Sequence, residues 1–279
     1  MNKTIAITGA STGIGLATAL LFAHKGWSVF AGTRNLERER QLHNVEGLEW
    51  LEMEVTDPAS LQKAFGQIND RTAGKLDALF CNAGFGFLRT LGQASMDEIR
   101  NVFETNVFGV IHTIKEALPM LREAGKSHIM ATSSVGGLVG QPFNEIYCSS
   151  KFALEGLLES LATYYKPLFN IDITLVEPGA IATNFNDTVF KQLGSTGGIL
   201  NDEYKALIDR YVEQFSKRNA VPQTAESVAE VVFSLVSLEE KPLRIRTSEA
   251  ADKFTAYKTE KDPTGLNGML NVRKLHLGL

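Results

Sequence analysis

A short apolar run, Ile5-Ala6-Ile7-Thr8, stops at Gly9 and continues as Ala10-Ser11-Thr12-Gly13-Ile14-Gly15. The run is brief and does not alternate, as expected of a strand buried on both faces of a parallel sheet. After the loop, Leu16, Leu20 and Ala23 recur at helical spacing with Ala19 and Phe22 beside them. A glycine-rich loop is thereby fixed between a strand and a helix. Glycines allow a tight turn and close approach of the backbone, and the open N–H groups and dipole of a helix start attract a pyrophosphate. The pattern predicts the first unit of a doubly wound α/β sheet carrying a dinucleotide on Gly9, Ser11, Thr12, Gly13, Ile14 and Gly15. The glycines fall at i, i+4 and i+6, so the strand-loop-helix setting, more than the spacing, carries the reading.

The rest of the chain repeats the alternation. Strands are expected at Ser28–Thr33, Leu48–Met53, Leu76–Phe80, Ser127–Thr132 and Ile171–Val176, with a further short one around Leu243–Thr247. Asp57-Pro58 reads as the cap and first residue of a helix running to about Asp70. Other helices are expected from near Ser95 through Asn106, from just before Tyr147 to about Tyr165, and from Thr224 to about Leu238. This order predicts a Rossmann-type parallel sheet of about seven strands, helices on both faces and right-handed crossovers. Ligands of such sheets bind beyond the carboxyl ends of the strands. Gly9, Arg34, Glu54, Asn82, Ser134 and Pro178 all fall at such ends, on six different strands.

The second strand ends Thr33-Arg34, with no carboxylate before Glu37. A carboxylate there would bind the ribose 2′-hydroxyl of NAD, whereas Arg34 pairs with a 2′-phosphate and Thr12 can add a hydroxyl. The expected cofactor is NADP(H) in preference to NAD(H). Glu54 and Val55 lie where an adenine would rest, and the small residues of Asn82-Ala83-Gly84 leave room for the cofactor. Asn106 has poor helix propensity, and by itself it reads as a surface or backbone-bonded residue.

Tyr147 and Lys151 stand four apart on one predicted helix face. A phenol has an unperturbed pKa of about 10. An adjacent ammonium lowers it, so Tyr147 could exchange a proton with a carbonyl or alcohol oxygen. Ser134, in the glycine-rich segment before that helix, offers a hydroxyl to the same oxygen.

Of the 279 residues, 44% are hydrophobic and 22% charged, as in a globular protein. The net charge of −4 carries no basic excess for nucleic acid. Cys81 and Cys148 have no metal-ligand spacing and read as reduced core residues of a cytoplasmic protein. The histidines His24, His43, His112, His128 and His276 do not cluster, so no metal centre is expected. No apolar run of about 18 residues predicts a transmembrane span. The chain reads as one domain over residues 1–279, with a substrate lid at about 185–220. In that lid Gly194–Gly198 would be a hinge, and Asn201–Lys217 an amphipathic helix carrying Tyr204, Leu207, Ile208, Tyr211 and Phe215. The tail beyond Ala250, with Pro263, Gly265 and Gly268, shows no assignable period. Val135, Val139, Phe143, Phe185, Tyr204 and Tyr211 are candidates for an apolar cleft.

Taken together, Thr8-Gly9-x-x-x-Gly13-Ile14-Gly15, Asn82-Ala83-Gly84, Asn106, Ser134, Tyr147-x-x-x-Lys151 and Pro178-Gly179…Thr183 resemble the short-chain dehydrogenase/reductase family over residues 3 to about 185. Pro142-Phe143-Asn144, Tyr147-Cys148 and the segment Lys151 to Gly156 are similar to the branch that holds the 17β-hydroxysteroid and retinol dehydrogenases. The resemblance implies that Tyr147 is the acid/base, with Lys151 lowering its pKa and holding the nicotinamide ribose. Ser134 would bind the substrate oxygen, and Asn106 would hold a water linking Lys151 to solvent. Thr183 would touch the nicotinamide amide, with Asn82, Ala83, Gly84, Pro178, Gly179 and Ile181 along the cofactor. Glu54 departs from the family's usual Asp. A homodimer or homotetramer paired through the Asn106 and Tyr147 helices is also implied. The expected activity is NADP(H)-dependent interconversion of a carbonyl and a secondary alcohol on a hydrophobic substrate, with Ser134, Val135, Phe143, Tyr147 and Phe185 around it. A non-catalytic NADP-binding redox sensor is the second reading, and the intact Ser-Tyr-Lys set argues against it.

Overall fold

The computed structural model describes residues 2–183, 185–216 and 222–260, together with 262, 264, 266, 267 and 270. Its first half runs β1 (Thr4–Ile7), α1 (Gly13–His24), β2 (Ser28–Thr33), α2 (Leu36–Leu42), β3 (Leu48–Glu52), α3 (Pro58–Thr72), β4 (Ala78–Cys81) and α4 (Met96–Phe103). A π-turn (Glu104–Phe108) joins α4 to α5 (Gly109–Glu123), followed by β5 (Ser127–Thr132), α6 (Glu145–Phe169) and β6 (Ile171–Glu177). Then come β7 (Ile181–Ala182), α7 (Phe185–Ser195), α8 (Lys205–Ser216), β8 (Gln223–Thr224), α9 (Ala225–Ser237), β9 (Arg244–Arg246) and α10 (Glu249–Thr259).

The main sheet has seven parallel strands in the order β3-β2-β1-β4-β5-β6-β9. The order reverses between β1 and β4, and a crevice opens there above the strand ends. Strand side chains alternate between faces. Ile5, Ile7, Phe80 and Met130 pack against Phe22 of α1 and against Val228 and Val232 of α9. Ala6, Leu79, Ile129 and Ile173 pack the other way, against Phe65 of α3, Ile114 of α5 and Leu154 and Leu158 of α6. Each such fully buried large apolar side chain contributes roughly 1.5–3 kcal/mol relative to exposure. The doubly wound sheet of about seven strands expected from the sequence is the one observed.

Local chemistry sets the element ends. Asp57 accepts from the Ala59 N–H at 3.0 Å with Pro58 in the first turn, as predicted. Ser95 and Glu98 form a reciprocal capping box at the start of α4. The helix expected to run unbroken through Asn106 is instead interrupted there by the π-turn. α8 starts at Lys205, four residues later than expected, because the Asp202 carboxylate takes the Tyr204 N–H at 3.0 Å and holds a turn. Helices α7 and α10 were not read from the sequence. Lys217, Ala220, Pro263, Gly265, Gly268 and the Phe215 side chain lie outside the described residues. Among the described residues, no helix is long and apolar enough to cross a membrane.

Candidate active site

Three strand ends are sewn together at the crevice. The buried Thr8 hydroxyl at the end of β1 accepts from the N–H groups of Asn82 (3.1 Å) and Ala83 (3.2 Å) after β4. Asn82 donates to the Gly9 carbonyl at 3.0 Å and accepts from the Thr132 hydroxyl of β5 at 2.9 Å. Its side chain is therefore a clamp, and a cofactor there would meet the Ala83-Gly84 backbone. Gly9 has φ +63°, and a Cβ on it would lie 2.7 Å from the Ala83 Cα. A Cβ on Gly15 would fall 2.2 Å from the Gly9 carbonyl oxygen. Thr12 precedes α1 and makes no side-chain cap bond, so the first turn keeps its N–H groups for an anion. Across the crevice, Thr183 stands where a Cβ on Gly13 would be 3.2 Å from its methyl. This loop, with the small residues before it, fits a dinucleotide pyrophosphate.

At the far end of the crevice the Arg34 side chain is 82% exposed and its Nη1 lies 3.9 Å from Glu54 Oε2. The other Glu54 oxygen accepts from the Thr56 N–H (3.1 Å) and hydroxyl (2.9 Å). The Val55 side chain is buried in the core against Gly109.

The carboxyl end of β5 and the start of α6 carry the candidate reacting groups, Ser134, Tyr147 and Lys151. Ser134 precedes a single 3₁₀ turn (Val135–Gly137), and its hydroxyl accepts from the Gly136 N–H at 2.9 Å. The Tyr147 ring, on the first turn of α6, lies beside the Ser134 hydroxyl: a Cβ on Gly136 would be 3.3 Å from Ser134 Oγ and 3.3 Å from Tyr147 Cε1. The Lys151 Nζ donates to the Thr132 carbonyl at 2.8 Å and lies 5.8 Å from the Tyr147 ring centroid. Pro178 accepts from the Val135 N–H at 3.0 Å, locking the end of β6 to the same loop. Gly179 follows it, and Ile181 pairs with Gln223 in the small β7–β8 ladder.

The electrostatics differ from the expectation. Burial pushes the Tyr147 phenol up to about 12, with the Ser134 side chain opposing it. Burial also pushes Lys151 down to about 8, opposed by the Glu155 carboxylate. The predicted lowering of the phenol by Lys151 is absent because the ammonium is turned to the Thr132 carbonyl and desolvation dominates. In this state Tyr147 is a proton donor.

Asn106 is sealed from solvent in the π-turn. Its Oδ1 accepts from the Phe85 N–H at 3.0 Å, and its Nδ2 donates to the Phe85 carbonyl and the Ser150 hydroxyl, each at 3.0 Å. The backbone-bonded reading of this residue is correct for its side chain. It borders the candidate site, since a Cβ on Gly84 would lie 3.1 Å from Asn106 Oδ1 and 3.5 Å from Lys151 Nζ.

The apolar candidates divide. Phe185 is exposed and meets Tyr147 edge-on, ring centroids 5.9 Å apart, with a Cβ on Gly86 reaching to 2.6 Å of its ring. Val135 is buried in the 3₁₀ turn. Phe143, at φ +62°, stacks edge-on with Tyr211 of α8. With Leu193 and Ile208 they enclose a cavity of about 10 Å³, no more than a water's room. Tyr204 packs over Gly92 instead.

Two features were not foreseen. Arg89 is buried, and its guanidinium donates to the carbonyls of Gly198 (2.9 Å) and Thr196 (2.5 Å) and to the Thr196 hydroxyl (2.5 Å), tying down the end of α7. The sequence holds no signal for it beyond a lone arginine after an apolar loop. Glu155 lies one helical turn after Lys151, and that spacing was the available signal.

Residues 3–194 match the short chain dehydrogenase family. Human 17-beta-hydroxysteroid dehydrogenase type 1 is 34% identical over 283 residues, covering 96% of this chain and 84% of its own length. Bovine (Bos taurus) retinol dehydrogenase 8 is also 34% identical over 283 residues, covering 98% and 89%. A short-chain dehydrogenase from Streptomyces avermitilis superposes with TM-score 0.80 at 26% identity over 99% of this chain and 98% of that one. ElxO with NADP bound superposes with TM-score 0.71 at 25% identity over 88% and 98%. The chain belongs to the short-chain dehydrogenase family and is a nicotinamide-dependent oxidoreductase acting on CH–OH groups.

Proposed function

We propose that this enzyme uses NADP(H) and works on a hydrophobic carbonyl/alcohol pair of steroid or retinoid type. The observation that carries the reading is the meeting of the Tyr147 and Ser134 side chains around Gly136 at the strand ends, with Lys151 beside them and the Gly9–Gly15 loop opening into the same crevice. The glycine loop and α1 start would hold the pyrophosphate, Ala83, Gly84, Pro178, Gly179 and Ile181 the middle of the cofactor, and Thr183 its amide end. When bound, the nicotinamide supplies or accepts the hydride.

The chain's own residues handle the oxygen and its proton. Ser134 and Tyr147 both point hydroxyls at the place where negative charge develops on a carbonyl oxygen. Tyr147 holds the proton at neutral pH and gives it to that oxygen in the reduction direction, the one an NADP(H) site serves in a cell. Lys151 holds the ribose hydroxyls and sits beside the phenol. A π-turn leaves a main-chain carbonyl outside the α-helical register, so Asn106 would meet a proton-delivering water through its backbone rather than its carboxamide, both of whose N–H donors are already taken. The name of each curated relative, one a hydroxysteroid and one a retinol dehydrogenase, supports a large apolar substrate. The aromatic edge of Phe185 over Tyr147 suits one.

Arg34 supports NADP(H): it stands exposed at the end of β2, where a 2′-phosphate would displace its loose pairing with Glu54. Phe108, Phe152, Tyr164 and Leu168 are exposed on the π-turn and α6. Together they suit pairing of two copies through α5 and α6. Cys81 and Cys148 are free and buried, which suits a reducing cytoplasm. The test is NADPH oxidation against a panel containing retinal and 17-ketosteroids. Turnover should appear in the wild type and vanish in Tyr147→Phe, while NADPH binding persists. A wild-type chain that binds NADPH but reduces nothing on a broad carbonyl panel would favour the redox-sensor reading.

A further inference from the structure

Behind the crevice floor lies a buried ionic cluster that hydride transfer as described leaves unused. Glu155 of α6 is 4% exposed, Glu177 at the end of β6 is sealed, and Arg244 of β9 is 9% exposed. The Ser133 hydroxyl donates to one Glu155 oxygen. Arg244 Nε donates to the other at 2.7 Å, while its Nη2 reaches Glu159. The same Nε lies 3.6 Å from Glu177, whose second oxygen is 3.3 Å from Arg246 Nη1. Arg246 in turn holds Asp252 of α10 at 2.5 Å. Burying so many charges is costly, and apolar side chains of similar volume fill such space at least as well.

Position gives the cluster a use. Tyr147, Lys151 and Glu155 follow one another at single-turn intervals on α6. Lys151 reaches the carbonyl of Thr132, and Glu155 reaches the hydroxyl of Ser133, the next residue. The ends of the two side chains therefore arrive at consecutive residues, immediately before Ser134. Around Lys151 stand Tyr147 and Glu155 from its own helix, Asn106 from the π-turn and the Thr132 carbonyl from β5. Glu155 is the carboxylate among them. Around Glu155 stand Glu159, Arg244 from β9, Glu177 from β6 and Ser133.

We propose that Glu155 is a positioning residue of the reaction: the buried carboxylate one turn below Lys151 that keeps its side chain an ammonium beside the cofactor, itself aimed by Ser133 and paired with Arg244. This rests on the catalytic roles proposed above for Tyr147 and Lys151. In support, the Glu155 carboxylate opposes the burial that lowers Lys151, and Arg244 opposes the burial that raises Glu155.

The test reads Lys151 directly, without substrate. ¹³Cε-lysine NMR of the full chain, with the signal assigned by its loss in Lys151→Met, gives the titration midpoint. In Glu155→Gln that midpoint should move to lower pH by about half a unit or more. Glu159→Gln, one turn further on, should move it far less. Equal midpoints in wild type and Glu155→Gln overturn the proposal. If Glu155→Gln does not fold, Glu155→Gln/Arg244→Met removes the pair together; it is read the same way, with a lower midpoint supporting the proposal and an unchanged one overturning it. The alkaline limb of kcat/KM for NADPH-driven retinal reduction should follow the NMR midpoint, and a limb that stays fixed while the midpoint moves also overturns the role. Failure of the wild type to reduce any carbonyl strikes the functional reading separately, and the NMR midpoints still decide the Glu155–Lys151 coupling.

Discussion

Tyr147 and Lys151 project from a 25-residue helix locked against β5 and β6, whereas Phe185 and Tyr211 ride on helices of 11 and 12 residues above the crevice. The floor is fixed chiefly by buried main chain: Val135 to Pro178, Ser133 to Val176, Thr8 to Phe80. The cover is fixed by side chains, chiefly the Arg89 guanidinium on the end of α7 and the Phe143–Tyr211 contact. A rigid floor holds proton donor and hydroxyl in one geometry through the reaction. A cover hung on a few side chains can open for the proposed apolar substrate without disturbing that geometry. The contrast predicts that substitutions in the floor act on the chemical step and substitutions in the cover act on substrate entry.

Tyr147→Phe breaks the floor most severely. It removes the proton donor while keeping the ring against Phe185, and kcat should fall by about 10³-fold or more with NADPH affinity nearly unchanged by fluorescence titration. Full activity would end the mechanism. Arg34→Ala touches the floor at its cofactor end. The KM for NADPH should rise roughly tenfold or more, as expected for loss of a charge-assisted phosphate pair, while the KM for NADH hardly moves. Equal effects on both would remove the NADP preference.

Arg89→Met tests the cover. It leaves the Thr196 and Gly198 carbonyls without their buried donor. Limited proteolysis should cut between α7 and α8 several-fold faster, and substrate KM should rise more than kcat falls. A fall in kcat with unchanged KM and unchanged proteolysis would show that floor and cover are one unit.

The floor was legible in the sequence, and of the cover only its second helix, α8, was. The strand-loop-helix pattern around Gly9 and the four-residue spacing of Tyr147 and Lys151 are local, and parallel topology then leaves their meeting at the strand ends as the arrangement available. Helix α7 escaped because Phe185–Ser195 carries few buried side chains to impose a clear period. Arg89 escaped because its partners are carbonyls over 100 positions away. The direction of the Tyr147 shift escaped for another reason. Spacing shows that an ammonium is near but not which acceptor it faces, and here that acceptor is the Thr132 carbonyl.

The smallest expected effect sharpens the comparison, because floor stability and floor function should respond to alkali in opposite senses. Burial depresses Lys151 in the folded chain to about 8, below the 10.5 of an unperturbed lysine. Between those values the unfolded chain binds more protons than the folded one, so this group's contribution to stability rises with pH across that window. Below about pH 8 the folded state carries a buried ammonium on the same helix as Glu155, and the cost is constant. The work proposed for Lys151 needs the ammonium, so kcat/KM should decline above about pH 8. Lys151→Met should remove both trends: its stability relative to wild type should be greatest below pH 8 and shrink toward pH 10, while its residual turnover should lose the alkaline limb. Urea denaturation and NADPH kinetics on the same samples measure the two. A wild-type alkaline limb that persists unchanged in Lys151→Met would assign it to another group and detach Lys151 from the proton chemistry.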